Sequence, residues 1–432
     1  MKTIVSNSHR PIAVFKTRRT GETVGAMRGS SGQVLVLVTM GIVMLTAFAG
    51  LAVDVGQLWS ARRHMQTAAD AAAIAGATAL RLGNTPTAAA DAITSTNGFT
   101  DGSENVTVTV NNPPASGVYA GNASYVEVIV SQPQPTYFMR VLGYNSMGVS
   151  TRSVASSVNG PACLYALDPT ASGAVTVGGS STSTLACGAI VDSNASNALN
   201  SNGGGSLTAS NIGVNGGVSG SGFTPTPVTG VAPAPDPLSY LQAPTFNPGA
   251  CDVTGTDHVG AGGTGITYLN PGVYCGGIQV SGNNPVVFNP GVYFLEGGLK
   301  VTATKANISG NGVMFYNTQS SKYPYGEISL SGSNTAKFSA ATSGTYEGIL
   351  FFQDRSIPIG SKGSTITGAS GSFFDGAIYF STTDVTYSGS SSSGGYTIIV
   401  ADTVTVSGDS TLSDNYSSLS DGSPIKATAL YE

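Results

Sequence analysis

Residues 34–53, VLVLVTMGIVMLTAFAGLAV, form a run of 20 without a charge. At 1.5 Å per residue, a helix of that length crosses about 30 Å, the hydrocarbon core of a bilayer. The sequence therefore predicts a transmembrane helix. Lys2, Arg10, Lys16, Arg18, Arg19 and Arg28 precede the run against one acid, Glu22. That bias places residues 1–32 in the cytoplasm and sends everything after Asp54 across the membrane. A cleaved secretory signal is the competing reading. The run is longer than a usual signal core, and no small-x-small site follows it before Asp54 and Trp59, so an uncleaved anchor is expected.

The helical pattern continues past the apolar run. Residues 54–80 contain no proline and are dense in alanine, the best helix former. One helix is expected from residue 34 to about 80, on the order of 70 Å long. Its outer half must pack on something. Ala69, Ala72, Ala73 and Gly76 carry little side-chain bulk and are candidates for close packing, either on the protein's own next domain or among like helices of an assembly.

Several fixed features follow in order: Gly32-Gln33, the apolar span, Ala52-Val53-Asp54-Val55-Gly56 at its exit, Arg62-Arg63, and an alanine run containing Asp70 and Gly76. This segment resembles the N-terminus of TadE/TadG-like proteins of tight-adherence (Tad, or Flp) pilus assembly. The resemblance implies a single-pass protein of the bacterial inner membrane with partners among pilus-assembly or other envelope proteins, and not an enzyme. Two departures bound it. Type IV prepilins place a glutamate five residues after their processing glycine, and counting from Gly32 that position is Leu37. Larger members carry a von Willebrand A-type domain opening Asp-x-Ser-x-Ser, and the nearest text is Asp168-Pro-Thr-Ala-Ser172. Asp192 recurs in register with Asp168 and no α/β pattern follows, so both are read as turn residues bonding local amides.

Residues 81–159 read as a small α+β module. It has a short helix over 87–95, strands over 105–110, 125–130 and 149–158, and a helical turn over 136–142. Beyond it the composition becomes extreme. Gly supplies 58 of 432 residues and only 9% are charged, against 41% apolar. Short alternating runs of Val, Ile, Leu, Phe and Tyr argue against disorder.

A repeat specifies the architecture of this passenger. The segment from Cys163 aligns without a gap onto that from Cys187 at a spacing of 24, pairing Asp168 with Asp192 and Val175 with Leu199. Asn-Pro-Gly-Val-Tyr recurs at Asn270 and Asn289, a spacing of 19. Repeats of this length, separated by Gly, Ser and Asn turns, describe stacked rungs of parallel strands, best fitted by a right-handed parallel β-helix. A Gly-rich β-sandwich is the alternative, but it does not predict a gapless register. The expected chain is thus mainly β: anchor helix over 33–80, module over 81–159, solenoid rungs over 160–222, a Pro-rich linker over 223–249, and further rungs over 250–432.

Cys163, Cys187, Cys251 and Cys275 form two pairs, each separated by 24. At equivalent points on neighbouring rungs their Cα atoms would stand about 4.8 Å apart, within disulfide range. Two disulfides are expected in an oxidising periplasm. There is no Cys-x-x-Cys and the histidines are His9, His64 and His258, so neither metal nor cofactor is expected. After Asn159 there are 7 basic against 16 acidic residues, no footprint for nucleic acid. Asp354, Asp375, Asp384 and Asp402, with Arg355, are the acids a carbohydrate-active β-helix would draw on, but they are scattered singly. A surface adhesin is the stronger rival to a pilus role, with Tyr240, Tyr323, Tyr325, Tyr387 and Tyr396 as candidates to meet a glycan or other surface ligand.

Overall fold

A computed structural model describes residues 31–81, 84–260, 265–303, 305, 307–330, 334–390, 392 and 394–431. The basic segment read over residues 1–32 therefore lies, but for its last two residues, outside the described residues. The chain divides into two compact units, Met1–His64 with Gln132–Val149, and Met65–Ser131 with Ser150–Glu432.

Two α-helices occur among the described residues: α1, Ser31–Arg81, and α2, Pro86–Thr96. The apolar start of α1 is long and apolar enough to cross a membrane, and almost none of it is buried. A proline among the first residues of α2 costs no helical hydrogen bond, because the amides of a first turn have no intrahelical acceptor.

Three strands follow: β1, Thr107–Asn111; β2, Tyr125–Pro135; and β3, Ser146–Asn159. They form a sheet in the order β1-β2-β3, and a fourth strand, Lys426–Leu430, completes it antiparallel to β3. The C-terminus thus belongs to the small sheet, where residues 250–432 had been read as one run of rungs. The polar and glycine-rich tail carries no signal for this partner, and pairing is decided by the open edge of β3.

Between β3 and that last strand, the strands among the described residues pair in parallel, with one isolated antiparallel bridge between Tyr396 and Asp414. Most turns of the chain add one strand to each of three sides. On one side Ala162–Ala166, Gly188–Val191, Ile212–Val214 and Val228–Thr229 follow in order. The chain then runs along the flank to the opposite end, restarts at Val253–Thr254, and winds back until Thr397–Ala401 pairs with Ala162–Ala166. Val404–Ser407 meets Val175–Gly178 on the second side, and Ser410–Leu412 meets Thr182–Leu185 on the third. The last turn therefore stacks on the first. Within the segment read as a Pro-rich linker, Phe223–Thr224 and Val228–Thr229 are two-residue strands at the stack's end, where proline is tolerated because one edge needs no partner.

Alternation places one face inside in strands such as Val286–Phe288 and Ile328–Leu330, whose patterns are buried-intermediate-buried, whereas Ala162–Ala166, Val313–Thr318, Ile349–Gln353 and Thr397–Ala401 are buried along their whole length. Aromatic rings fill the middle: Phe315 stacks on Phe351 at 5.2 Å and meets Phe288 and Phe338 edge-on at 5.2 and 5.3 Å. The long helix, the mainly β character and the parallel sheets expected from the sequence are all present.

Candidate functional site

The outer part of α1 buries a narrow stripe. Met65, Ala68, Ala69, Ala72, Ala73 and Ala77 are at most 1% exposed, and Gly76 is buried with them. Steps of three and one along this set put all seven on one helical face. Val126, Val128, Val130 and Val154 of the small sheet are likewise fully buried. A Cβ added at Gly76 would stand 2.9 Å from a Val126 methyl. Gln66 fixes the register by donating to the Arg152 carbonyl at 3.0 Å and to Asp70 at 2.8 Å. The structure thus buries Ala69, Ala72, Ala73 and Gly76 on one face, and places Gly76 against Val126 of the protein's own sheet.

In the other unit, Asp54 sits one residue past the apolar run and is 1% exposed. Its carboxylate accepts the backbone amides of Tyr137 and Phe138 at 2.9 Å each and of Met139 at 2.6 Å. Those residues open a 3-10 turn, Met139–Leu142, capped by Gly143 at φ 92°. Loss of hydration works to raise the Asp54 pKa, and the three amide donors outweigh it, holding the carboxyl below its usual range. Phe138 packs on Gly50, where a Cβ would meet its ring at 2.4 Å. Beside this contact Met44, Ala47, Phe48 and Leu51 of α1 and Phe138, Met139, Val141 and Leu142 line an open apolar groove of about 520 Å³. Sequence reasoning placed a helical turn here but missed the clamp. The signal was present: Tyr-Phe-Met-Arg-Val-Leu is too apolar for a solvated hairpin connection.

The candidate residues of the parallel stack are engaged in its own packing and turns. Cys163–Cys187 and Cys251–Cys275 are disulfides with Cα separations of 5.6 and 5.5 Å. Neither pair occupies the equivalent points assumed from the spacing. A bulge between Ala162 and Leu164 shifts the first ladder, and in the second Cys275 pairs with Thr254 rather than Cys251. Asp168 accepts the amides of Thr170 and Ala171 at 2.7 and 2.6 Å, the local turn expected. Asp192 instead takes the Ala234 amide at 2.8 Å, tying down the flanking segment. Asp354 accepts from Thr318 and Ser356, Asp375 from Ser392, and Asp384 from Thr403, so these acids serve separate turns. Tyr387 and Tyr396 are 0% and 3% exposed, which withdraws them as surface contacts; Tyr240, Tyr323 and Tyr325 are half-buried. Among the described residues no group of three or more His, Cys, Asp or Glu side chains is placed to hold a metal ion.

No curated protein and no solved structure matches the chain. The helix that carries both the Asp54 clamp and the buried alanine stripe is matched almost end to end: residues 32–79 fit the model of the Tad family, described as putative Flp pilus-assembly TadE/G-like.

Proposed function

We propose that this chain is a membrane-anchored structural component of a Tad pilus-assembly system or a related envelope apparatus, acting by association rather than catalysis. The observation that carries the reading is the family match over residues 32–79 on a helix able to cross a membrane. The basic residues before that helix favour a cytoplasmic N-terminus at the inner membrane, and two disulfides in the passenger favour an oxidising compartment beyond it. The stacked parallel strands are read as the coils of a β-solenoid, displayed by the small sheet outside the cytoplasm. Its partners on this reading are pilus and envelope proteins.

The test is deletion of the gene in its host, complemented either by the full chain or by a chain lacking residues 161–424, with surface pili counted by electron microscopy. Loss of pili restored by both chains places the function in the anchor and small sheet. Restoration by the full chain alone makes the solenoid part of assembly. Pili unaffected by deletion reject the pilus reading in favour of an adhesin-like surface role.

A further inference from the structure

Val141 and Leu142, at the tip of the connection between β2 and β3, are 86% and 75% exposed, and Tyr137, Phe138 and Tyr144 beside them are at least half exposed. So much exposed apolar surface on ten residues is unfavourable in water. The helix residues that share the groove with this tip, Met44, Ala47, Phe48 and Leu51, all precede Asp54. At 1.5 Å per residue Met44 lies about 15 Å below Asp54 along the helix, roughly one leaflet of a bilayer core. A tip seated beside these residues shares their depth.

We propose that residues 136–145 form a second membrane element, a re-entrant tip immersed among the acyl chains of the leaflet from which α1 emerges and held there by Asp54. The proposal rests on the reading of residues 34–53 as membrane-spanning. Non-helical backbone survives at that depth only if its polar groups are satisfied within the protein. Here the amides of Tyr137, Phe138 and Met139 go to Asp54. Thr136 donates to Asn145, Val141 to Phe138, Gly143 to Arg140 and Tyr144 to Met139, at 3.0 to 3.2 Å. The side chains sort as an interface requires. Val141, Leu142 and Phe138 supply the apolar tip, while Tyr137, Tyr144 and Trp59 supply amphipathic rings of the kind that collect at headgroup level. Arg140, exposed on the same turn, has the reach to carry its charge up to that level. Lipid rather than a protein helix is the occupant because the apolar exposure is not confined to the groove: Leu35, Leu37, Val43 and Leu45 are 66 to 70% exposed around the same helix.

The chain has one tryptophan, which makes depth measurable. The full chain carrying Trp59→Phe with Val141→Trp, and separately Trp59→Phe with Phe48→Trp, is reconstituted in phosphatidylcholine–phosphatidylglycerol vesicles with or without dibrominated acyl chains. Brominated lipid is expected to remove most of the emission of both indoles, with aqueous iodide leaving both unchanged. Absence of lipid quenching at position 48 overturns the spanning reading and the inference with it. Lipid quenching at 48 together with iodide quenching at 141 overturns the inference alone. Protection of 141 from both quenchers assigns the groove to a protein, which also overturns it. Asp54→Ala is expected to reduce lipid quenching at 141 and spare that at 48; no change at 141 overturns the clamp.

Discussion

Gly160 donates its amide to the carbonyl of Ile425 at 2.8 Å, and a Cβ on Gly160 would lie 2.4 Å from an Ile425 methyl. The strand that leaves the small sheet and the strand that returns to it therefore meet at the same point. The parallel stack is an insertion between them, closed at its base like a loop.

Excising residues 161–424 and joining the ends through a short glycine linker should leave the small sheet folded. Ending the chain after Gly160 should not, because Lys426–Leu430 pairs with β3 over five residues. The amides of Ala155 to Asn159 report the difference by hydrogen exchange: protected in the excised chain, open in the truncated one.

Arg355 is the staple of the flanking segment. Its guanidinium donates to the Tyr379 hydroxyl at 2.6 Å and to the carbonyls of Leu241 and Leu238 at 2.8 and 2.6 Å, while Tyr379 donates to Asp236 at 2.6 Å. Arg355→Met removes three donors at once and is expected to cost about 2–3 kcal/mol. Exchange should accelerate at residues 236–241 before anywhere else in the stack. Arg355→Lys should recover little, since one ammonium lacks the planar fork that reaches all three acceptors.

How much of this was legible depends on the range of each contact. The helix ends, α2 and the three strands of the module follow local pattern, and Val175 does pair with Leu199 as the 24-residue spacing requires. The 19-residue repeat is also real: Asn289 donates to Asn270 at 2.8 Å, and Tyr274 and Tyr293 each reach back to the carbonyl of their own motif's asparagine. Yet Gly272 pairs with Tyr293, two residues beyond the sequence alignment. A two-residue slip keeps every side chain on its face, so hydrophobic alternation cannot detect it. The junction of Thr397–Ala401 with Ala162–Ala166 was invisible for a related reason. Any apolar parallel strand would satisfy either edge, and only closure of the whole chain chooses the partner.

Asp402 makes the stack sensitive to pH. Loss of hydration, and then the Asp168 and Asp384 carboxylates, push its pKa up to about 6 from the usual 3.8. Between those values the folded state binds a proton that the unfolded state has released, so stability falls as pH rises through the window. The cost is complete above pH 6 and absent below 3.8. Asp402→Asn should therefore stabilise the protein at pH 7 by about 1 kcal/mol once solvent screening is allowed for. Denaturant titrations at pH 7 and pH 3.5 check this, with the gain expected only at the higher pH.

The two disulfides should differ in lability. Cys163 and Cys187 are 0% and 6% exposed in the interior of the stack, whereas Cys251 is half-buried beside the terminal strand Val253–Thr254. Under mild reduction, alkylation followed by peptide mass mapping should find Cys251 and Cys275 modified first. Replacing Cys163 and Cys187 together by serine releases a loop of separation 24 and is expected to cost about 3 kcal/mol by chain entropy. Replacing the terminal pair should fray residues 253–259 with a smaller effect on global unfolding.

Gly76 decides whether the alanine stripe serves the fold or an assembly. Its missing side chain lets α1 approach Val126, and a methyl there would already overlap at 2.9 Å. Gly76→Ala gains about 1 kcal/mol of helix propensity and loses a comparable amount to that contact, so little net change is expected. Gly76→Leu must displace the strand and should cost about 1–3 kcal/mol. Ala75→Leu, on the half-exposed side of the same turn, should be nearly neutral. Thermal unfolding of the full chain in detergent separates these cases. A fall in Tm for Gly76→Leu alone assigns the stripe to intramolecular packing; an unchanged Tm with loss of pili in the complementation assay would mean that the face meets another chain.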